Sequence, residues 1–218
     1  MTKVKICGIT NLHDAMLCAE AGADAIGFVF AKSPRRASLS TAKAISLRLP
    51  PFISTVGVFV NAHLDPELLR QCMPFLHAVQ LHGDEPPDFV EGITKPKIKG
   101  FRIGSKEDLK AIESYVGKVN AVLLDARVEG AEGGTGKTFD WSIAAEARKF
   151  GIPIILAGGL HPGNVAEAIS AVKPYAVDAS SLLEISPGRK DPGKIRRFVM
   201  EVRRADLKMC SGDLSTND

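Results

Sequence analysis

The 218-residue chain has only four cysteines, Cys7, Cys18, Cys72 and Cys210, and no two of them form a Cys-x-x-Cys pair. No Cys/His cluster has zinc-ligand spacing, so neither a metal centre nor a disulfide scaffold is expected. Charge of one sign is equally sparse: the net charge is +3, with Lys and Arg spread along the chain. That speaks against nucleic acid as a partner and leaves room for a small anionic ligand. Long apolar runs are missing too. None approaches the ~20 residues that span a bilayer, and no apolar core follows the first charged residues, so neither a membrane span nor a secretory leader is expected. A reducing, cytoplasmic setting with free thiols follows. No Pro-, Gly- or Ser-rich linker divides the sequence, and one domain is the default at this length. The expected domain covers residues 1–204, with a polar, disordered tail over 205–218.

What is present is a regular alternation of short apolar runs with amphipathic stretches. Strands are expected at Val4–Cys7, Ala25–Phe30, Ser54–Val60, Ala78–Leu81, Ile98–Arg102, Ala121–Leu124, Pro153–Leu156 and Ala176–Asp178. Between them, Leu12, Ala15, Met16 and Ala19 are spaced for one buried helical face. Asn11, Ser40, Asp65, Ser105 and Asn164 are the expected N-caps, and the last helix is expected over about Gly193–Arg204. Strands alternating with helices predict an α/β fold with a parallel sheet. Periodicity alone leaves open a doubly wound sheet or a closed (βα)8 barrel. The chemically unusual residues Cys7, Arg35, Asn61, His82, Asp125, Gly158, Gly159 and Ser180 fall at or just after the C-terminal ends of strands. Barrel enzymes build their sites on that face, and this favours the eight-stranded TIM barrel.

Several of these residues have two readings. Cys7 is either a small buried hydrophobe or a reactive thiol, with Gly8 permitting close backbone approach. Asp125, directly after an apolar strand, is either a turn residue or a carboxylic acid tuned by partial burial. Gln80 and His82 share one side of strand four, and line a pocket if that side faces the barrel interior. Gly158-Gly159 and Ser180-Ser181 follow strands seven and eight, where barrels often cradle a phosphate with backbone N–H groups; structural turns are the plainer alternative. Arg35 or Arg36 suits a bidentate carboxylate contact. Gly133-Gly134-Thr135-Gly136-Lys137 is not a P-loop, because the required first glycine falls on Ala131. It reads instead as a flexible active-site loop.

Taken in order, these segments resemble the phosphoribosylanthranilate isomerase family from about residue 3 to residue 200. The matching stretches are Lys5-Ile6-Cys7-Gly8-Ile9-Thr10, Gly27-Phe28-Val29-Phe30 with Ser33-Pro34-Arg35, and Val56-Gly57-Val58-Phe59-Val60-Asn61. They continue with Val79-Gln80-Leu81-His82-Gly83, Leu123-Leu124-Asp125, Gly133 to Lys137 with Phe139-Asp140-Trp141, Ala157-Gly158-Gly159-Leu160 and Val177-Asp178-Ala179-Ser180-Ser181. The resemblance implies an Amadori rearrangement of N-(5'-phosphoribosyl)anthranilate to 1-(o-carboxyphenylamino)-1-deoxyribulose 5-phosphate, without metal or redox cofactor, by a monomer or homodimer. It assigns Cys7 as general base and Asp125 as general acid, whose pKa burial and a Cys7 thiolate would both raise. It gives substrate binding to Arg35, Gln80, His82, Gly158, Gly159, Asp178, Ser180 and Ser181. The Ser-Pro-Arg anchor selects Arg35, whereas counting forward from Phe30 selects Arg36. Leu182 stands where the family usually has glycine, which implies a changed phosphate loop. A metal-dependent sugar-phosphate epimerase would need His/Asp ligands at several strand ends, and His82 alone does not supply them. A non-catalytic phosphate-binding barrel would not need both the strand-one thiol and the strand-six acid.

Overall fold

The computed structural model describes residues 1–126 and 141–212. Eight parallel strands follow one another around a closed barrel: β1 (Lys3–Cys7), β2 (Ala25–Val29), β3 (Ser54–Phe59), β4 (Ala78–Leu81), β5 (Lys97–Ile103), β6 (Ala121–Ala126), β7 (Ile154–Ala157) and β8 (Ala176–Ala179). β8 pairs with β1, with Lys5 opposite Asp178, and this closes the ring and excludes the open sheet. The expected strands sit where the apolar runs placed them, with ends moved by a residue or two.

Both faces of these strands are buried, which is why they read as continuous apolar runs rather than alternating ones. Outward residues such as Val4, Ile6, Val79, Leu81, Val122 and Leu124 join the core beneath the helices. Inward residues, among them Val56, Ile98, Leu123, Ile155 and Ala176, form a second, smaller cluster inside the ring. Because side chains alternate, Lys5, Cys7, Gln80, Asp125 and Asp178 stand in step with that inner set.

The connections are α1 (Leu12–Glu20), α2 (Leu39–Ser46), α3 (Pro66–Cys72), α4 (Pro87–Glu91), α5 (Trp141–Glu146), α6 (Val165–Val172) and α7 (Pro192–Gly212), with a 3₁₀ helix at Glu107–Tyr115 between β5 and β6. After β8 the chain makes a short hairpin, β9 (Glu184–Ser186) with β10 (Arg189–Lys190). The Asn11 side chain caps α1 by accepting from the Asp14 N–H, and Asp65 caps α3. Three expected caps act differently. α2 begins earlier than expected, so Ser38 rather than Ser40 accepts from the Thr41 N–H. The Ser105 turn is tied by Asp108, whose carboxylate accepts from the N–H groups of Gly104 and Ser105. The Asn164 amide accepts from the His161 N–H and donates to the Gly159 carbonyl, so it secures the loop after β7 rather than the helix.

Two further expectations need correction. The buried face of α1 is Asp14, Ala15 and Cys18 rather than the one carrying Leu12, Met16 and Ala19. The helix is turned because the Asp14 carboxylate is drawn inward to accept from the Lys190 N–H at 2.8 Å. The chain also does not become a loose tail at Ala205, since α7 continues to Gly212. Ala205 and Asp206 are buried, and the Asp206 carboxylate accepts from the N–H and the hydroxyl of Thr2. A polar composition suggests exposure, whereas the Asp206 carboxylate is a partner of the N-terminus. The proposed Gly133–Lys137 loop lies outside the described residues.

Candidate active site

A cavity of about 240 Å³ opens at the C-terminal ends of the strands. Cys7 from β1, Gln80 from β4 and Asp125 from β6 face it, as do His82 just after β4 and Asp178 from β8. The loops after β7 and β8 bring Gly158, Gly159, Ser180, Ser181 and Leu182 to the same space. Every expected site residue except Arg35 therefore lines one cavity. Arg35 sits at its edge, where a Cβ on Gly8 would stand 2.8 Å from the Arg35 Cδ and 3.0 Å from the Ser180 Oγ. Arg36 is exposed and takes part in a bridge with Val29 instead.

The β7 loop turns through Gly158 and Gly159 at φ +88° and +64°. Side chains rarely tolerate that left-handed region. The glycines are thus required by the turn itself, since a Cβ on Gly159 would meet nothing within 4 Å. The Ser180 hydroxyl donates to the Cys7 carbonyl at 3.0 Å, tying the β8 loop to the end of β1. A 3₁₀ turn, Ser181–Leu183, follows, and it carries Leu182 on the cavity rim while Leu183 enters the core.

The electrostatics divide into two clusters. In the first, the Lys5 ammonium donates to the Asp178 carboxylate at 2.8 Å with both side chains more than nine-tenths buried. Asp178 Oδ1 and Gln80 Oε1 are buried and have no hydrogen-bond partner among the described residues. Burial pushes the Cys7 thiol up, against the pull of Lys5. Burial also raises the Asp125 carboxyl, to about 6, and the neighbouring Asp178 charge adds to the effect. The expected contribution of a Cys7 thiolate is thus replaced by that of Asp178. His82 hydrogen-bonds through Nδ1 to the Gln80 amide at 3.0 Å, and its Nε2 stands 3.7 Å from Asp125 Oδ2, too far for a direct hydrogen bond. Burial lowers its pKa and favours the neutral ring.

In the second cluster, Arg35 makes a forked contact to the buried Glu184 carboxylate, at 2.9 Å from Nε and 2.8 Å from Nη2. Lys190, fully buried, donates to the same carboxylate at 2.8 Å. Two cations share this one carboxylate at the cavity edge. Lys5, Glu184 and Lys190 were missed by sequence reasoning. Lys5 carried a usable signal, a charged residue at an inward position of an otherwise apolar strand. Glu184 and Lys190 carried none, because their hairpin has no periodicity to read. Among the described residues, no three His, Cys, Asp or Glu side chains are grouped to hold a metal ion, and no helix is long and apolar enough to cross a membrane.

Residues 4–201 match the family model of N-(5'-phosphoribosyl)anthranilate (PRA) isomerase. The N-(5'-phosphoribosyl)anthranilate isomerase of Citrifermentans bemidjiense is 50% identical over 208 residues, which cover 95% of this chain and 100% of that relative. The crystal structure of the Thermotoga maritima phosphoribosyl anthranilate isomerase superposes with a TM-score of 0.87 at 43% identity, covering 94% of this chain and 100% of that one. A second such structure, in complex with reduced 1-(o-carboxyphenylamino)-1-deoxyribulose 5-phosphate, has a TM-score of 0.84 at 41% identity, with coverages of 94% and 100%.

Proposed function

The chain belongs to the N-(5'-phosphoribosyl)anthranilate isomerase family, enzymes of tryptophan biosynthesis, and we propose that Cys7 and Asp125 carry its acid–base chemistry. The observation that supports this most is that a thiol and a carboxyl of raised pKa face one cavity from β1 and β6. The β7 and β8 loops lie between those walls. The substrate phosphate binds there, against Gly158, Gly159, Ser180 and Ser181, and the sugar reaches both reactive groups. Arg35 takes the anthranilate carboxylate. Glu184 engages its Nε and Nη2, leaving Nη1 for the ligand, and Lys190 supplies the charge that offsets Glu184. The unpartnered oxygens of Asp178 and Gln80 accept from sugar hydroxyls, which removes the cost of burying them without a partner. His82 stays neutral, held by Gln80, and bounds the pocket beside Asp125.

The steps follow from this placement. Neutral Asp125 gives its proton to the furanose oxygen as the bond from C1′ to that oxygen breaks, and the amine nitrogen supplies the electrons for a Schiff base. The Cys7 thiolate then takes the proton from C2′, and the electrons return through C1′ to nitrogen, leaving an enol that becomes the ketone. Only protons and one ring bond move, which is chemistry that acid–base side chains suffice for. The protein's assembly is a monomer or a homodimer. A reducing cytoplasmic setting suits the four free cysteines, one of which is the proposed base.

The test is turnover of freshly prepared substrate by wild type, Cys7→Ser and Asp125→Asn, alongside binding of a reduced product analogue. Each variant should bind the analogue and lose on the order of 10²-fold or more in kcat. Turnover within a few-fold of wild type in either variant removes that residue from its role.

A further inference from the structure

We propose that Lys5 is the positioning residue that sets the charge on the Cys7 sulfur: its buried ammonium, held beside the sulfur and the Asp178 carboxylate, makes a thiolate attainable where burial opposes one. The inference rests on the reading of Cys7 as the base. Its geometry comes from β1 and its two neighbours in the ring. Lys5 and Cys7 are two residues apart on β1 and so share its inner face. Gly27 on β2 backs both: a Cβ there would stand 2.8 Å from the Cys7 Sγ and 3.2 Å from the Lys5 Cε. The small residue on β2 therefore leaves the space in which thiol and lysine stem lie side by side. From β8, Asp178 holds the ammonium at 2.8 Å through one oxygen. An ammonium has three N–H donors, so holding the carboxylate leaves donors for the sulfur.

Among the described residues, the charges around the sulfur are few. Lys5 on β1 favours the thiolate, Asp178 on β8 opposes it, and Lys190 on β10 adds a weaker favourable influence. β2 contributes Gly27 and no charge, and Arg35 lies over Gly8 with its guanidinium on Glu184. Across the cavity stand Gln80, His82 and Asp125. The Cys7 proton leaves to water in the open cavity, and the thiolate is paired by Lys5. The thiolate takes the C2′ proton and becomes a thiol again, and that proton is released before the next turnover. Lys5 keeps its three protons throughout.

The pH dependence of Cys7 alkylation by iodoacetamide reads this coupling, with the modified peptide identified by mass and the exposed Cys210 replaced by Ser. The thiolate is the reacting form. In Lys5→Met the ionisation midpoint should rise by a pH unit or more, slowing alkylation near pH 8 by about tenfold or more. kcat should fall by a similar factor, with KM within a few-fold. In Asp178→Asn the midpoint should move the other way and alkylation near pH 8 should quicken, a reversal that loss of a merely structural ion pair would not give. An unmoved alkylation profile in folded Lys5→Met overturns the proposal. If Lys5→Met does not fold, Asp178→Asn decides, and unchanged or slower alkylation there overturns it equally. Full turnover by Cys7→Ser would end the base assignment while leaving the alkylation result intact, so the two failures are distinguishable.

Discussion

Burial acts in the same direction on the two groups proposed to exchange protons with substrate. It brings the Asp125 carboxyl to about 6 and pushes the Cys7 thiol up. The acid therefore ionises at lower pH than the base, while catalysis needs a neutral carboxyl together with a thiolate. Between the two values each pH step gains as much thiolate as it loses neutral acid. The competent form is a small, constant fraction there and belongs to the pair rather than to either residue. The expected kcat/KM profile is a broad flat-topped bell. Its acid limb near pH 6 marks Asp125, and its alkaline limb, shifted above the ordinary thiol range, marks Cys7. A sugar phosphate also titrates near 6, so the control is Asp125→Glu: a limb owned by this residue moves with the substitution. A limb that stays in place belongs to the ligand, and a profile lacking any fall below about pH 5 sinks the assignment of the acid. The positions of Cys7 and Asp125 were legible because strand ends are legible. The source of the shift was not, since Asp178 stands on β8, two strands along from β6, and no local pattern links the two residues.

At the scale of elements, the strands were readable because burial on both faces makes them uninterrupted apolar runs, and their ends moved little. What stayed hidden is charge that the strands carry outward. Lys99 on β5 points out of the ring and is buried with Glu85, which follows β4. The Glu85 carboxylate accepts from Lys99 Nζ at 2.9 Å, from the Gly83 N–H at 3.0 Å and from the Ala62 N–H at 3.3 Å. Lys99 also donates to the Gly83 carbonyl. One ion pair thus organises the loops after β3 and β4, and no local periodicity announces it, because the partners meet across strands. Lys99→Met strands a buried carboxylate and should destabilise the fold by about 3–5 kcal/mol in urea titration. Adding Glu85→Gln keeps an acceptor for the two backbone donors and removes the charge, so the double variant should recover much of the loss. A single variant within about 1 kcal/mol of wild type would show that the pair is not a structural anchor. Lys99 and its hydrogen bonds hold the Glu85 pKa below the ordinary carboxylate value despite burial. That contribution is present above the unfolded value of about 4.3 and is lost as pH falls through the folded one.

For the whole molecule, the ring rather than the individual strand was the harder inference. Periodicity permits an open sheet as readily as a barrel, and what separated them was the gathering of reactive residues at strand ends. The C-terminal helix outruns its sequence expectation for a related reason: Asp206 looks solvated in sequence and is spent on Thr2, at the other end of the chain. The seam between β1 and β8 has a consequence in time. It joins residues 173 positions apart, Lys5 and Asp178, and the Ser180 hydroxyl reaches Cys7 across the same gap. Pairings this distant carry a large closure entropy and tend to form slowly, whereas neighbouring strands and their helices assemble from nearby segments. On dilution from urea, far-ultraviolet circular dichroism should therefore recover ahead of catalytic activity, with fluorescence of a bound product analogue following the slower phase. Coincident recovery of all signals in one phase would mean that closure is not a separate event. Until that seam forms, a chain with its other seams made owns every residue of the site and has no site. The fold withholds from partly folded copies the carboxylate that holds Lys5 beside the reactive thiol, so catalysis itself reports that folding is finished.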